Sequence, residues 1–196
     1  DDPAKATKKH AMQLGLGAAA LTKFSRKKLR MKTTAIEINP QVVSACRFWF
    51  KLPPDDAKLL VVLADAGVEV RNPVWAGDVD ALQVDLYDHE AAAPVLDSFD
   101  FYKDCRNTLT EGGCMTVNLF GEQNKYPDSV EEIAAAFGRD AVWLFKPTKE
   151  GNTVVLAQRT PSRPDRATLE ARAADIHARW GLPAQKWLKV FKPLEG

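Results

Sequence analysis

The stretch of residues 11–37 most constrains what this chain can fold into. It begins with a short apolar run at 12–14, passes through a turn of glycine and alanine at 15–20, and ends in a β-branched segment that carries Glu37. Glu37 follows Gly17 by about 20 residues, the spacing expected between a phosphate- or nucleoside-binding turn and the acid that holds ribose hydroxyls. The pattern therefore predicts a strand, turn, helix and strand with a nucleoside site at the turn.

The residue types in this turn have physical reasons. Gly15 can adopt backbone angles that are closed to other residues, and Gly17 lets a ligand approach the main chain closely. A carboxylate such as that of Glu37 accepts hydrogen bonds from two hydroxyls. The turn departs from G-x-G-x-x-G at Ala20, where alanine is tolerated. The alternative interpretation is a tight turn whose small residues serve packing alone, so the rest of the chain must decide.

Composition and residue spacing exclude several classes of protein. The net charge of +1 gives no general attraction to nucleic acid or to a membrane surface, so neither partner is expected. No apolar run approaches the roughly 18 residues of a membrane helix, and no signal peptide is visible. The histidines are scattered, so no metal site is predicted. Three widely spaced cysteines lie in apolar surroundings, which is typical of reduced thiols in the cytoplasm: Cys46, Cys105 and Cys114.

Strand and helix signals alternate along the chain. Strands are predicted at 11–16, 34–38, 59–64, 79–84 and 114–119, and helices at 18–30, 40–51, 66–70, 97–109 and 128–137. Two further strands, 142–145 and 153–158, flank a hairpin signal at 150–152. This alternation predicts an α/β fold with a doubly wound, mostly parallel, seven-stranded sheet and a C-terminal antiparallel hairpin.

Two packing expectations follow from the hydrophobic pattern. Apolar residues recur at helical spacing in the segment 40–51, so we expect them in the core; they are Val42, Val43, Cys46, Trp49 and Phe50. The run at 59–64 is continuously apolar, which indicates a strand covered on both faces.

Three successive strands end in an acidic residue. These residues are Glu37, Asp65 and Asp85. Parallel sheets bind ligands outside the carboxyl ends of their strands, so all three acids are expected at the edge that holds the glycine turn. Each acid alone could cap a following helix. Three of them beside a glycine turn favour nucleoside binding.

The tail differs in character from the preceding residues. We expect a nucleoside-binding α/β domain over 1–160 and a helical C-terminal extension over 161–196. Asp165 is predicted to cap a helix that runs to Trp180, with Gly181 ending it. The apolar face of this helix either packs on the sheet domain or contacts a second subunit, which would make a homodimer.

Five motifs, taken in order, resemble those of the spermidine synthase family: L-G-L-G-A-A-A-L, A-I-E-I-N-P, L-A-D-A, V-D-L-Y-D and E-G-G-C-M-T-V-N-L. These polyamine aminopropyltransferases, the spermidine and spermine synthases, have the Rossmann-like fold of class I S-adenosylmethionine-dependent methyltransferases. The resemblance covers about residues 10–160. It implies a cytoplasmic transferase of polyamine biosynthesis that takes decarboxylated S-adenosylmethionine, or S-adenosylmethionine, as co-substrate and a cationic amine as acceptor.

The resemblance assigns six residues to nucleoside binding: Gly15, Gly17, Glu37, Ile38, Asp65 and Ala66. It implies that the glycines line the nucleoside, that Glu37 binds the ribose hydroxyls, and that Ile38 packs on the adenine. It also implies that Asp65 accepts a hydrogen bond from the adenine amino group.

The resemblance also assigns the catalytic residues. Asp85 occupies the position of the catalytic acid, Asp88 that of a second acid, and Tyr87 stands where the family usually has a small polar residue. Because a sulfonium is a good leaving group, in-line positioning supplies much of the rate, and a carboxylate can hold the amine and accept its proton. Ala18 replaces an aspartate that holds the far ammonium of the diamine. The family's N-terminal β-domain has no counterpart in this sequence.

Two other functions remain open at this point. One is an S-adenosylmethionine-dependent methyltransferase with an unknown acceptor, and the other is a non-catalytic homologue that binds a nucleoside. The glycine turn with Glu37 would also suit a nicotinamide cofactor, but Asp65 and the loop that begins at Asp85 favour a sulfonium donor.

Overall fold

The computed structural model describes residues 8–86, 98–120, 126–149 and 151–195. Its strands are β1 (His10–Leu14), β2 (Lys32–Glu37), β3 (Leu59–Leu63), β4 (Val79–Val84), β5 (Leu109–Phe120), β6 (Val142–Phe145), β7 (Asn152–Gln158) and β8 (Phe191–Pro193). They form one sheet in the order β3-β2-β1-β4-β5-β7-β6-β8. Strands β1 to β5 run parallel, and β7 is antiparallel to both β5 and β6. The α/β class and the mostly parallel sheet with an antiparallel hairpin are thereby confirmed.

Within the described residues, seven α-helices connect and cover the strands. They are α1 (Ala20–Lys27), α2 (Pro40–Phe48), α3 (Ala66–Glu69), α4 (Phe99–Thr108), α5 (Tyr126–Phe137), α6 (Arg166–Trp180) and α7 (Ala184–Trp187). The signals predicted for the ends of α6 act as expected, and α2 has a similar cap. The side chain of Asn39 accepts a hydrogen bond from the Gln41 N–H at the start of α2, and Asp165 accepts one from the Thr168 N–H at the start of α6. Gly181 ends α6 in the left-handed conformation, with φ of 69°.

The sheet has one more strand than the sequence predicts. β8 lies at the sheet edge and pairs antiparallel with β6, with Phe145 opposite Phe191. The rings of Trp143 and Phe191 stack with their centroids 4.9 Å apart. A strand of three residues that ends in proline carries no period-two pattern, so only this tertiary contact reveals it.

Two packing expectations are wrong. Helix α2 ends at Phe48, and the side chains of Trp49 and Phe50 beyond it are 71% and 46% exposed. β3 is an edge strand on which Leu60 and Leu63 are exposed rather than covered. Periodicity alone does not show where a helix stops or how far the two faces of a strand are covered. Cys46, also expected in the core, is fully buried.

Core residues pack on both faces of the sheet. The larger cluster includes Met12, Leu82 and Tyr102, and a smaller cluster near α1 and α2 includes Ala35 and Leu59. The three cysteines are free thiols, and burial raises the pKa of each. Among the described residues, none of the helices is long and apolar enough to cross a membrane.

Candidate active site

Main-chain hydrogen bonds bring three strand ends together at one edge of the sheet. The Gly15 N–H donates to the Ile36 carbonyl at 2.9 Å, and the Asp85 N–H donates to the Leu14 carbonyl at 3.0 Å. These bonds continue the parallel pairing of β1 with β2 and β4 by one step. The glycine turn and Asp85, which follows β4, therefore begin side by side. Glu37 is the last residue of β2, which lies between β1 and β3 in the sheet.

The turn after β1 requires glycine at its first position. Gly15 has φ of 84°, and a Cβ atom there would lie 2.2 Å from the carbonyl oxygen of Asp85. Gly17 also has a positive φ, 51°, but a Cβ there would meet nothing within 4 Å. The main chain at Gly17 is thus open to an approaching ligand. The sequence pattern did not single out Ala19, which is buried and takes the left-handed conformation that begins α1.

Glu37 ties the glycine turn to the segment after β2. One carboxylate oxygen, Oε2, accepts a 2.9 Å hydrogen bond from the Leu16 N–H, and Oε1 accepts one of 2.9 Å from the Asn39 N–H. The side chain is buried, and each oxygen retains a second lone pair for a hydroxyl donor. The carboxylate is therefore held in a fixed orientation before any ligand arrives. Ile38, beside it, is 65% exposed and offers an apolar surface.

Asp65 has a structural role of its own. Its Oδ1 accepts a hydrogen bond of 3.1 Å from the Val68 N–H and so caps α3. The residue is exposed, whereas the neighbouring Ala66 is buried at the start of the helix. The capping interpretation and ligand binding are compatible, because a carboxylate has more acceptor sites than one backbone donor uses.

The side chain of Asn118 holds Asp85 and is itself held by Asn152, and sequence reasoning gave neither asparagine a role. The Asn118 Nδ2 donates to Oδ1 of Asp85 at 2.9 Å, and the Asn152 Nδ2 donates to Oδ1 of Asn118 at 3.1 Å. Val117 is the register partner of Val84, which places Asn118 level with Asp85. The sequence V-N-L at the end of β5 could have indicated Asn118, because β5 is the neighbour of β4, the strand that Asp85 follows.

Some predicted site residues lie outside the described residues. These are Tyr87 and Asp88, together with the neighbouring Glu90. Ala18 is described and is exposed on the glycine turn. Within the described ranges, no group of three or more His, Cys, Asp or Glu side chains could hold a metal ion.

Solved structures with a similar fold are of two kinds. Human methyltransferase-like protein 13 in complex with SAH superimposes with a TM-score of 0.78 at 19% identity, covering 90% of this chain and 84% of that one. A probable spermidine synthase from Corynebacterium glutamicum gives 0.75 at 18% identity, covering 97% and 68%. A spermidine synthase in complex with the transition state analogue AdoDATO gives 0.66 at 20% identity, covering 92% and 69%. At these identities the likeness shows the fold.

Sequence relatives identify the family. No model of a known protein family matches the chain. The polyamine aminopropyltransferase of Neisseria meningitidis serogroup A is 29% identical over 186 residues, which cover 93% of this chain and 69% of the relative. The polyamine aminopropyltransferase of Chromobacterium violaceum is 31% identical over 194 residues, which cover 98% of this chain and 71% of the relative. With this identity across nearly its whole length, the chain belongs to the polyamine aminopropyltransferase family.

Proposed function

We propose that the chain binds decarboxylated S-adenosylmethionine and transfers its aminopropyl group to a cationic amine. Its curated relatives are named for this transfer, and a solved structure of the same fold holds a transition state analogue. We also assign individual residues to the donor and to the acceptor.

One observation carries the choice of substrates: the described part of the site edge is acidic. The residues at or just beyond the carboxyl ends of the parallel strands are 15–19, 37–41, 64–68, 85–86 and 118–120. They contain Glu37, Asp65 and Asp85 and no lysine or arginine. Such an edge attracts cations and repels carboxylates. The decarboxylated donor and an ammonium acceptor are cationic, whereas S-adenosylmethionine carries a carboxylate at the end of the chain that would face Asp85.

The nucleoside half of the site is assigned to the first two strand ends. In this proposal the two hydroxyls of the ribose donate to the free lone pairs of the Glu37 carboxylate. The adenine lies against Ile38 and reaches Asp65 with its amino group, beside Ala66. The open main chain at Gly17 lets the ribose approach the turn. This arrangement directs the sulfonium toward the end of β4.

The chemical step then needs one well-placed base. The acceptor ammonium gives a proton to the Asp85 carboxylate, which leaves a neutral amine with a lone pair. That lone pair forms the new N–C bond to the aminopropyl carbon while the C–S bond breaks, and the sulfur keeps the electron pair as a neutral thioether. Asn118 holds the carboxylate in place for this transfer. We assign Asp88 and Tyr87 as assisting groups.

Calorimetric titration of the chain with the two donors tests the proposal. We expect decarboxylated S-adenosylmethionine to bind at least about tenfold more tightly than S-adenosylmethionine, because the acidic edge repels the carboxylate. The thioether product nucleoside serves as the control, since it carries neither the positive sulfur nor the side-chain charge. Equal or reversed preference would contradict the proposal and favour methyl transfer. Absence of binding to either donor would favour a non-catalytic homologue.

A further inference from the structure

A cavity lies beneath the C-terminal helices, far along the sheet from β1 and β2. Helix α6 covers one face of the β6–β7–β8 region, but Ala173 alone of its fifteen residues is buried. A space of about 230 Å³ remains between α6, α7 and the three strands. We call this space the tail cavity.

The walls of the tail cavity are mostly apolar and include four aromatic side chains. The sheet contributes Trp143, Phe145 and Phe191, whose rings pack on one another. The helices contribute Ile176 from α6 and Trp187 from α7, the latter 36% exposed. A buried apolar cavity of about 150 Å³ accepts benzene. The tail cavity is larger and is open to solvent on one side, so it has room for a phenyl ring with a short chain that reaches toward the surface.

A single charged residue lines this cavity. Arg172 projects from α6, is exposed, and has no hydrogen-bond or ion-pair partner among the described residues. The nearby acids on the same helix are already used: Glu170 pairs with Arg166 at 2.7 Å, and Asp175 pairs with Arg179 at 3.0 Å. An unpaired guanidinium beside an aromatic cavity provides a charge-assisted, two-pronged donor for a carboxylate.

A second polar group in the lining has a free donor. Oε1 of Gln158 on β7 accepts a hydrogen bond from the Ser162 N–H at 3.1 Å. Its amide nitrogen donates to none of the described residues. The polar groups that the cavity offers therefore include donors, which suits an anionic acceptor rather than an ammonium.

We propose that the tail cavity binds a small aryl or arylalkyl carboxylate. The apolar body lies between the aromatic wall of the sheet and Ile176, and the carboxylate pairs with Arg172. This site is separate from the transfer site, because its lining comes from β6, β7, β8 and the tail. Its ligand has the opposite charge to the amine proposed there, so the two sites select different molecules.

Binding of 4-phenylbutyrate, measured by calorimetry, tests the proposal. We expect the chain to bind it at least about tenfold more tightly than the uncharged 4-phenylbutanol, since only the carboxylate pairs with Arg172. Arg172→Gln should remove this preference by weakening phenylbutyrate alone. Arg179→Gln is the matched control on the same helix; its guanidinium pairs with Asp175 and does not line the cavity, so binding should be unchanged.

A variant that fills the tail cavity tests whether the two probes bind there. Ile176→Trp should abolish binding of both probes, and an unchanged thermal unfolding midpoint would show that the variant folds. Should this variant unfold, Leu156→Phe on β7 fills the same space from the opposite wall.

Three results would overturn the proposal. One is the failure of phenylbutyrate to bind, and another is equal binding by the wild-type chain and Arg172→Gln. The third is self-association: if a second copy fills the cavity, the free chain sediments as a dimer that Ile176→Trp dissociates. None of these measurements involves the transfer site, so any of these three results would leave the proposed aminopropyl transfer intact.

Discussion

The carbonyl oxygen of Asp85 lies 2.2 Å from where a Cβ atom of Gly15 would be. The turn assigned to the nucleoside and the residue assigned to the amine are therefore in main-chain contact. The Gly15 N–H is at the same time bonded to β2, the strand that carries Glu37. A displacement at this glycine would move both halves of the site.

Gly15→Ala should abolish donor binding and destabilise the fold. The new methyl group would clash with a main-chain oxygen that cannot turn away, and φ of 84° is strained for alanine. Gly77→Ala is the control, because φ there is 66° but nothing lies within 4 Å, so only backbone strain of about 1–2 kcal/mol is expected. Calorimetry and thermal unfolding of both variants provide the measurement. Wild-type donor affinity in Gly15→Ala would contradict the contact.

Glu37→Ala should weaken nucleoside binding by about tenfold or more. The substitution removes the proposed ribose acceptor and also releases the N–H groups of Leu16 and Asn39. A ligand-side control separates these two effects. The wild-type chain should prefer an adenosine ligand over its 2′,3′-dideoxy counterpart, and the variant should lose this preference. If the preference persisted in Glu37→Ala, the ribose would lie elsewhere.

Asp85→Asn should abolish turnover while donor binding is retained. The amide oxygen can still accept the hydrogen bond from Asn118, so the geometry survives, but an amide does not accept the amine proton. Loss of a general base costs about 10²- to 10⁴-fold in rate. Asp80→Asn, on the strand that Asp85 follows, is the control, because Asp80 accepts hydrogen bonds from His10 and Thr110 instead. Turnover near the wild-type rate in Asp85→Asn would remove Asp85 from the mechanism.

Asn118→Ala should lower kcat and leave the KM of the donor unchanged. Its amide donates a hydrogen bond to the carboxylate of Asp85, which we assign to the acceptor rather than to the donor. Asn152→Ala should have a smaller effect, since it acts on Asp85 through Asn118. Steady-state kinetics of the two variants give the comparison. A larger loss in Asn152→Ala than in Asn118→Ala would show that the order of these contacts has no bearing on the reaction.

The sequence predicted the parts of the site that depend on neighbouring parallel strands. Glu37, Asp65 and Asp85 follow strands whose apolar runs are local signals, and parallel pairing then brings their ends to one edge. The asparagines were not predicted, because Asn152 reaches Asn118 through the antiparallel pairing of β7 with β5, 34 residues apart. Exposure of Trp49 was missed for a related reason. The end of α2 depends on tertiary packing that its period does not encode.

A buried histidine at the start of β1, at the opposite ends of the strands from the candidate site, makes the free energy of unfolding depend on pH. His10 is 2% exposed, with Nδ1 bonded to Asp78 and Nε2 to Thr34, both at 2.9 Å. Burial, and secondarily the charge of Lys32, lower its pKa below the ordinary value of 6.5, although Asp78 opposes the shift. The folded chain therefore binds fewer protons at this site than the unfolded chain in the interval just below 6.5.

The free energy of unfolding should consequently fall as the pH decreases through 6.5 toward the lower folded pKa. The stabilisation from neutral His10 is complete above that interval. Urea unfolding at about pH 7.5 and about pH 5.5 measures the loss. His10→Asn should be less stable at the higher pH but should lose less on acidification, because it has no proton to gain. An identical loss in His10→Asn would assign the pH dependence to other groups.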